Sequence, residues 1–305
     1  MTKDQRLPYG IAPPAFRLPE ASHVGAVRLQ VSDLRRSTEY YEQVLGLRAY
    51  ATGRDTATLG PHGDDRPLVT LQTESGVTAT RRGRFGLYHF AILLPTRAAL
   101  GRFAAHLSVL GVRVAMADHM VSEALYLWDP DGLGIEVYAD RPRTEWRRND
   151  RELAMATDPL DIGGLVAAGG GDTWDGAPAG TTMGHVHLHV GSLDAAEAFY
   201  HRALGFDKTV WSYAGALFLS AGGYHHHLAT NTWSPGPSPS PDRAQLLEWE
   251  VVVPADADVA AVTRSLRGAG YRADDAANGV TTVDPWGTRL RIRAKAVAAP
   301  ALNAS

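Results

Sequence analysis

Two histidines and one glutamate lie on the polar faces of predicted strands, where they could bind a metal ion together. His89 lies in GLYHFAIL, Glu136 in GIEVY and His185 in GHVHLHV. Apolar residues alternate with these side chains, so all three are expected to point away from the apolar faces of their strands. Two neutral imidazoles and one carboxylate can hold a divalent metal and leave neighbouring coordination positions open.

Each of these side chains also has a purely structural explanation. A single histidine facing a cavity is more often a hydrogen-bonded structural residue than a metal ligand. A glutamate in an otherwise apolar strand is harder to explain in that way, because a buried carboxylate needs a partner or a metal. The combination of His89, Glu136 and His185 therefore favours a metal site.

The strands that must position these residues belong to an internal repeat. The segment that begins at Val27, VRLQVSDLRRSTEYYEQVLGL, is similar to the segment that begins at Val186, VHLHVGSLDAAEAFYHRALGF, and the spacing is 159 residues. The segments that end at Pro95 and Pro254 have the same spacing, and DPDG in the first half matches DPWG in the second. The chain is therefore a duplication.

Each half is itself double, with the order strand, helix and three strands occurring twice. Strict alternation predicts the strands, and a Leu-Gly pair after each helical stretch predicts where the helix ends. The sequence predicts an α+β fold of four βαβββ modules that begin near Gly25, Gly86, Gly184 and Leu246. The modules form two tandem domains, with the boundaries 24–141 for the N-terminal domain, 142–182 for a linker and 183–296 for the C-terminal domain.

Modules two and three hold the potential ligands, whereas the corresponding positions of modules one and four do not form such a set. The residues that align with His185, His89 and Glu136 are Ala26, Glu248 and Arg291. We therefore expect one pair of modules to perform chemistry and the other to be structural. The histidine triplet at 225–227 lies mid-chain, and at least one of its members is expected to face the same side as His185.

Composition excludes several function classes. The chain has 305 residues, a net charge of -3, no cysteine and no run of about 18 apolar residues. These values give no sign of a nucleic-acid or membrane partner, and they exclude disulfides and thiolate metal sites. The first residues contain no apolar signal core, so a cytoplasmic location is expected.

The modules resemble those of the vicinal oxygen chelate superfamily, and the stretch from Asp118 to Glu136 resembles the signature of type I extradiol ring-cleaving dioxygenases. The residues that match this signature are His119, Leu125, Tyr126, Asp129, Pro130, Gly132 and Glu136. Ala117 departs from the pattern, which usually has Gly or a few other residues there. The resemblance covers roughly residues 24 to 295 and is greatest to the CatE-type catechol 2,3-dioxygenases.

This resemblance implies a role for each matching residue. Glu136, His89 and His185 would be the metal ligands, and His226 would be the acid–base residue, with His225 or His227 as alternatives. His119 and Tyr126 would hydrogen-bond the oxygens of the substrate. The resemblance further implies Fe(II), with Mn(II) accepted by the same ligands, a catechol-type aromatic substrate, dioxygen as co-substrate and a homo-oligomer.

Two questions stay open at this point. In the best-known members of the family the signature module is the last of four and pairs with the third, whereas here it is the second. Either modules two and three pair across the halves, or the site is arranged in another way. We expect His187, Trp233 and the Pro-rich loop 234–243 to form the far wall of the pocket, but the sequence does not identify the catechol.

Two alternative functions remain consistent with the sequence. One is a glyoxalase-like isomerase or an epoxide-opening resistance enzyme, which would use similar His and Glu ligands without the set of His119, Tyr126 and His226. The other is a metal-free protein that binds aromatic ligands. The tryptophans that could line its cleft are Trp128, Trp211, Trp233 and Trp249.

Overall fold

The computed structural model describes residues 9–80, 83–234 and 236–296, and it contains four βαβββ modules. Module one consists of β1 (His23–Gln30), α1 (Leu34–Gln43), β2 (Arg48–Thr52), β3 (Thr56–Gly60) and β4 (Val69–Gln72). Module two consists of β5 (Gly86–Leu93), α2 (Arg97–Val109), β6 (Ala115–Asp118), β7 (Ser122–Trp128) and β8 (Gly134–Asp140).

The second half of the chain repeats this order after a linker. The linker contains a 3₁₀ turn (Arg143–Glu145), β9 (Arg148–Asn149), β10 (Glu152–Leu153) and α3 (Ile162–Ala168). Module three consists of β11 (Thr182–His189), α4 (Leu193–Ala196) that continues as a π-helical segment (Glu197–Ala203), β12 (Asp207–Val210), β13 (Ala216–Ser220) and β14 (Leu228–Asn231). Module four consists of β15 (Gln245–Val253), α5 (Asp256–Gly268), β16 (Asp274–Ala276), β17 (Gly279–Val283) and β18 (Arg289–Ala294).

The modules pair across the two halves of the chain. One eight-stranded sheet has the order β12-β13-β14-β11-β5-β8-β7-β6, and β5 and β11 run antiparallel at its centre. The other has the order β16-β17-β18-β15-β1-β4-β3-β2, with β1 and β15 antiparallel at its centre. Modules two and three thus share one sheet and modules one and four share the other, which answers the question that the sequence left open.

The predicted α+β fold of four βαβββ modules is confirmed. The division into 24–141, 142–182 and 183–296 describes order along the chain and stays a prediction, because each sheet takes strands from both outer ranges. In the part of the chain that the structure describes, no helix is long and apolar enough to cross a membrane.

Local sequence explains why the helices begin where they do. Asp33 accepts a hydrogen bond from the backbone N–H of Arg36 at 3.0 Å, and Thr96 accepts one from Ala99 at 3.1 Å. Ser192 plays the same part at the start of α4. Each of these side chains satisfies a backbone donor that the first turn of a helix leaves free.

The alternation predicted for the central strands gives the sheet one apolar face and one face that carries the histidines, which we call the functional face. Phe90 and Ile92 of β5, together with Val186 and Leu188 of β11, are buried in the main core. These residues remove apolar surface from water beneath the helices, which fixes the register of both strands. The histidines between them are therefore forced onto the opposite face of the sheet.

Candidate metal centre and substrate cavity

Three neighbouring strands bring His89, Glu136 and His185 together on the functional face. Ala91 of β5 lies opposite both Glu136 of β8 and His185 of β11 in the sheet, and His89 precedes Ala91 by two residues on the same face. The Nε2 atoms of His89 and His185 each lie 3.0 Å from Oε2 of Glu136. One potential ligand atom from each residue lies within 4.8 Å of the others. The small side chain of Ala91 leaves space between them.

All three side chains are buried, and their environment favours the protonation states that bind a metal. Burial raises the pKa of Glu136, but the nearby imidazoles of His185 and His89 outweigh it and hold that pKa well below its ordinary value. Burial lowers the pKa of His89 and of His185, against the opposing effect of Glu136. The site thus combines one carboxylate with two neutral imidazoles.

An unsatisfied buried atom indicates that this group fits a metal. The Nε2 of His89 is enclosed and makes no well-oriented hydrogen bond within the described part of the chain, although it lies 3.0 Å from Glu136. A buried polar atom without a partner is costly in a finished structure. A cation between the two imidazole nitrogens and the carboxylate oxygen would satisfy it, and nitrogen and oxygen donors of this kind suit Fe(II) and Mn(II).

A cavity of about 250 Å³ opens directly onto the three side chains. Aromatic side chains line one part of it, including Tyr88, Tyr213, Phe218 and Trp233. Residues 155–157 of the linker line another part. The cavity is mainly apolar with a few polar groups beside the triad, as is typical of sites for small organic ligands.

His119 and Tyr126 line this cavity and are hydrogen-bonded to each other. Nε2 of His119 lies 2.6 Å from the hydroxyl of Tyr126, and Nδ1 of His119 lies 2.6 Å from the carbonyl of Ala156. Because a carbonyl only accepts, Nδ1 of His119 donates, and in the neutral ring Nε2 accepts from Tyr126. Burial, followed by the charge of Glu136, raises the pKa of Tyr126 well above its ordinary value.

Of the three consecutive histidines, His226 is the one that lines the cavity. Its ring packs on that of His185 with 4.1 Å between the ring centroids. His225 points instead to Asp140, and His227 accepts a hydrogen bond from the backbone N–H of Ala221. The geometry therefore favours His226 over its two neighbours as the member that can reach a substrate.

The corresponding positions of modules one and four contain an ion pair in place of the potential metal site. Nε of Arg291 donates to Glu248 at 2.9 Å, and Ala26 lies where a third ligand would be needed. The carboxylate of Glu248 is thus paired with the guanidinium of Arg291 from a neighbouring strand. This agrees with the expectation that the second sheet is structural.

Some expectations about the pocket wall are only partly met. His187 and Trp233 line the cavity, but the described residues of the Pro-rich loop that form a wall, Pro237, Ser238 and Pro239, line a neighbouring cavity. The proline-rich segment therefore lies beside the site and not over the triad. Trp249 is completely buried in the core and is not a cleft residue.

The sequence missed several residues of the site. The linker wall at 155–157 has no recognisable motif, since its position follows from a bridge between Asp118 and Asp158. Asn231 holds His187 by a 2.8 Å hydrogen bond from its amide nitrogen to Nε2, and it has no signal in the sequence. Asp140 was detectable in principle, because it follows Glu136 and Tyr138 on the same face of β8.

Comparisons with known proteins agree with this geometry. The family model described as Glyoxalase/Bleomycin resistance protein/Dioxygenase superfamily matches residues 22–137 and 182–289. The chain is 42% identical over 272 residues to a catechol-2,3-dioxygenase of Bacillus subtilis (strain 168), covering 87% of this chain and 95% of the relative.

Solved structures support the fold. A proposed dioxygenase from Bacillus subtilis subsp. subtilis strain 168 matches with a TM-score of 0.64 and 14% identity, over 92% of this chain and 86% of that one. Glyoxalase I from Zea mays matches with a TM-score of 0.51 and 16% identity, over 89% and 92%. At these identities the two structures are evidence for the fold alone.

Proposed function

This chain belongs to the Glyoxalase/Bleomycin resistance protein/Dioxygenase superfamily, and from that premise we propose that it is an extradiol dioxygenase that opens the ring of a catechol-type substrate. The main observation in favour is the convergence of His89, Glu136 and His185 at the base of a largely apolar cavity. The identity of 42% to a catechol-2,3-dioxygenase adds support for the substrate class.

The proposed metal is Fe(II), with Mn(II) able to use the same ligands. His89, Glu136 and His185 would hold it. A metal held by these residues would supply the redox chemistry that lets a catechol react with dioxygen. The single carboxylate leaves the centre with a net positive charge, which favours an anionic catechol.

The side chains around the triad have separate proposed tasks. Tyr126, held by His119, would orient an oxygen of the substrate. Burial, followed by the neighbouring imidazoles of His185 and His225, lowers the pKa of His226 well below its ordinary value, so its ring is neutral. A neutral imidazole has one acceptor nitrogen, which we propose takes a proton from a catechol hydroxyl. The aromatic wall with Phe218 and Trp233 would bind the ring and exclude water.

The two alternative functions have less support. Similarity to glyoxalase I is low in sequence and is evidence for the fold alone. A metal-free binding protein would not need two imidazoles and a carboxylate buried together without other partners. Neither alternative uses the arrangement of His119, Tyr126 and His226 around the same cavity.

Oxygen uptake tests the proposal. Protein loaded anaerobically with Fe(II) is expected to consume dioxygen when catechol is added and to form a yellow ring-opened product. Glu136→Ala and His185→Ala should each lower the rate at least about 10³-fold, because each variant removes a metal ligand and lowers metal affinity as well. The measurements are oxygen-electrode rates, product absorbance and bound metal per chain.

The structural sheet offers a matched control. The double variant Glu248→Gln, Arg291→Gln changes the corresponding positions of module four and removes both charges of an ion pair, so no unpaired buried charge remains. It should retain activity within about twofold of the unaltered protein. Stoichiometric metal binding without oxygen consumption across several catechols would contradict the proposed activity.

A further inference from the structure

A chain of hydrogen bonds connects His226 to a carboxylate outside the cavity. Nδ1 of His226 lies 2.7 Å from Nδ1 of His225, and Nε2 of His225 lies 2.9 Å from Oδ1 of Asp140. His225 is completely buried, whereas 27% of the side chain of Asp140 is exposed. The partly exposed carboxylate of Asp140 is thus connected to His226, which lines the cavity, by hydrogen bonds through the buried imidazole of His225.

The direction of each hydrogen bond follows from the chemistry of the carboxylate. A carboxylate has only acceptor oxygens, so Nε2 of His225 must donate to Asp140. A neutral imidazole has a single N–H, so with Nε2 donating to Asp140 the Nδ1 of a neutral His225 ring accepts, and Nδ1 of His226 donates to it. The Nε2 of His226 consequently carries no hydrogen, and its lone pair can accept a hydrogen bond.

The remaining contacts of His226 place this lone pair at the cavity. In the described part of the chain Nε2 of His226 has no hydrogen-bond partner, and it is not among the enclosed atoms that lack one. His226 lines the cavity beside His185, on whose ring it packs. The nitrogen that faces the space in front of the triad is therefore Nε2 of His226, and it is a hydrogen-bond acceptor.

A second group of hydrogen bonds also ends at Asp140. The hydroxyl of Tyr224 donates to the same Oδ1 at 3.1 Å, and the hydroxyl of Tyr138 lies 2.6 Å from that of Tyr224. Because the Tyr224 proton is used on Asp140, Tyr138 donates to Tyr224. The Tyr224 bond and the His225 bond thus reach the same oxygen of Asp140, and each can be removed separately.

We propose that Asp140 and His225 are positioning residues that hold His226 in the Nδ1–H tautomer, with the Nε2 lone pair toward the substrate. This inference deepens the proposed function, since it assumes that His226 is the base that accepts a proton from a catechol hydroxyl. Asp140 lies on β8, four residues after Glu136, while His225 and His226 belong to module three. The tautomer therefore depends on the pairing of modules two and three.

The first test observes the tautomer directly and needs no activity. Zinc-loaded protein containing ¹⁵N-labelled histidine is examined at neutral pH by two-bond proton–nitrogen correlation, which distinguishes protonated from bare ring nitrogens. The signals of His226 are identified by their absence in His226→Gln. We expect Nδ1–H and a bare Nε2 at His226, and the reversed tautomer in the unaltered protein would overturn the proposal.

The second test uses Asp140→Asn, which keeps the shape of the side chain but adds a donor. The amide can donate to Nε2 of His225, which permits the reversed tautomer along the chain. The proton of His226 then lies on Nε2 in part of the molecules, and kcat should fall by the same factor as the Nδ1–H population falls in the histidine spectra, up to the roughly 10²-fold loss of a fully removed general base. KM and bound metal should stay within about twofold, and Asp140→Glu should recover part of the lost kcat.

Tyr224→Phe is the matched control. It also removes a hydrogen bond to Oδ1 of Asp140 but leaves the bond from His225 intact, so kcat and the His226 tautomer should be nearly unchanged. Unchanged kcat and an unchanged tautomer in Asp140→Asn would overturn the proposal. If no catechol is consumed by the unaltered protein, the proposed function fails, whereas the histidine spectra still decide whether Asp140 sets the tautomer.

Discussion

At the scale of single residues, the site is defined by which atoms donate and which accept. The carbonyl of Ala156 fixes the proton of His119, so the hydroxyl of Tyr126 donates to His119 and its lone pairs remain for other partners. Glu136 stays ionised beside two neutral imidazoles. These protonation states result from burial and from fixed neighbours.

Removing the hydroxyl of Tyr126 tests the most local of these effects. Tyr126→Phe keeps the ring but loses the oxygen bonded to His119. We expect kcat/KM to fall roughly 3- to 10-fold, the equivalent of a hydrogen bond between neutral groups of about 0.5–1.5 kcal/mol that Tyr126 accepts from a substrate hydroxyl. Metal content should not change, because Tyr126 is outside the triad. Steady-state kinetics with parallel metal analysis measures both, and an unchanged kcat/KM would exclude the proposed role.

At the scale of elements, the two DP-x-G turns connect each sheet to a helix of the other one. The hydroxyl of Tyr41 in α1 donates to Asp129 at 3.3 Å, and that of Tyr200 in module three donates to Asp284 at 2.8 Å. Tyr41 and Tyr200 are equivalent positions of the repeat, as the turns are. The duplication therefore preserved a buried tyrosine–aspartate contact that ties modules one to two and three to four.

The turn at Asp129 should make stability depend on pH. Burial raises the pKa of Asp129 to about 7, with the backbone N–H of Leu133 opposing and the charge of Asp131 adding to it. Between about pH 4 and 7 the folded protein keeps a proton that the unfolded chain releases. The resulting stabilisation of the folded protein is complete below the pKa that Asp129 has in the unfolded chain. It is lost as the pH rises through the pKa that Asp129 has in the folded protein.

Asp129→Asn should remove this dependence, since an amide oxygen can still accept the backbone N–H groups of Asp131 and Leu133. Relative to the variant, the unaltered protein should lose unfolding free energy between pH 5 and 7 with a slope approaching about 1.4 kcal/mol per pH unit. Urea unfolding at several pH values measures it. Asp65→Asn, at a strongly exposed aspartate, is the control. Parallel stability curves for the unaltered protein and Asp129→Asn would contradict the assignment.

At the scale of the whole molecule, neither half of the chain can complete a sheet alone. The triad takes His89 and Glu136 from the first half and His185 from the second, and β5 and β11 meet by antiparallel pairing. The same holds for β1 and β15 in the other sheet. The site is therefore a product of the duplication, and the homo-oligomer implied by the family resemblance stays a prediction.

Separating the halves should abolish metal binding until they are mixed. A fragment of residues 1–170 exposes the edges of β1 and β5, which pair with β15 and β11 in the intact protein. The other fragment comprises residues 171–305. We expect each fragment alone to aggregate or to show no measurable affinity for Mn²⁺, and a mixture of the two fragments to bind Mn²⁺ again. Titration calorimetry with Mn²⁺ and light scattering measure both properties. A monomeric 1–170 fragment that binds Mn²⁺ as the intact chain does would refute this dependence.

The sequence by itself determined the modules and the faces of their strands. Alternation in the strands around His89 and His185, with the apolar partners Phe90 and Val186, indicates which side chains are buried in the core and which point away. Period-two patterns and helix caps are local properties, so they can be recognised without knowing the fold. The resemblance of the stretch from Asp118 to Glu136 added the proposed roles of His119 and Tyr126.

Only the tertiary structure decided which modules pair and what surrounds the triad. Strand alternation does not specify the neighbouring strand, because the pairing of β5 with β11 joins residues about a hundred positions apart in the chain. The linker wall at 155–157 and the contact between Asp140 and His225 depend on that pairing, whereas His226 was already assigned by the family resemblance. Hydrogen-bond direction, and with it the proposed chemistry of His226, follows from contacts between modules that are distant in sequence.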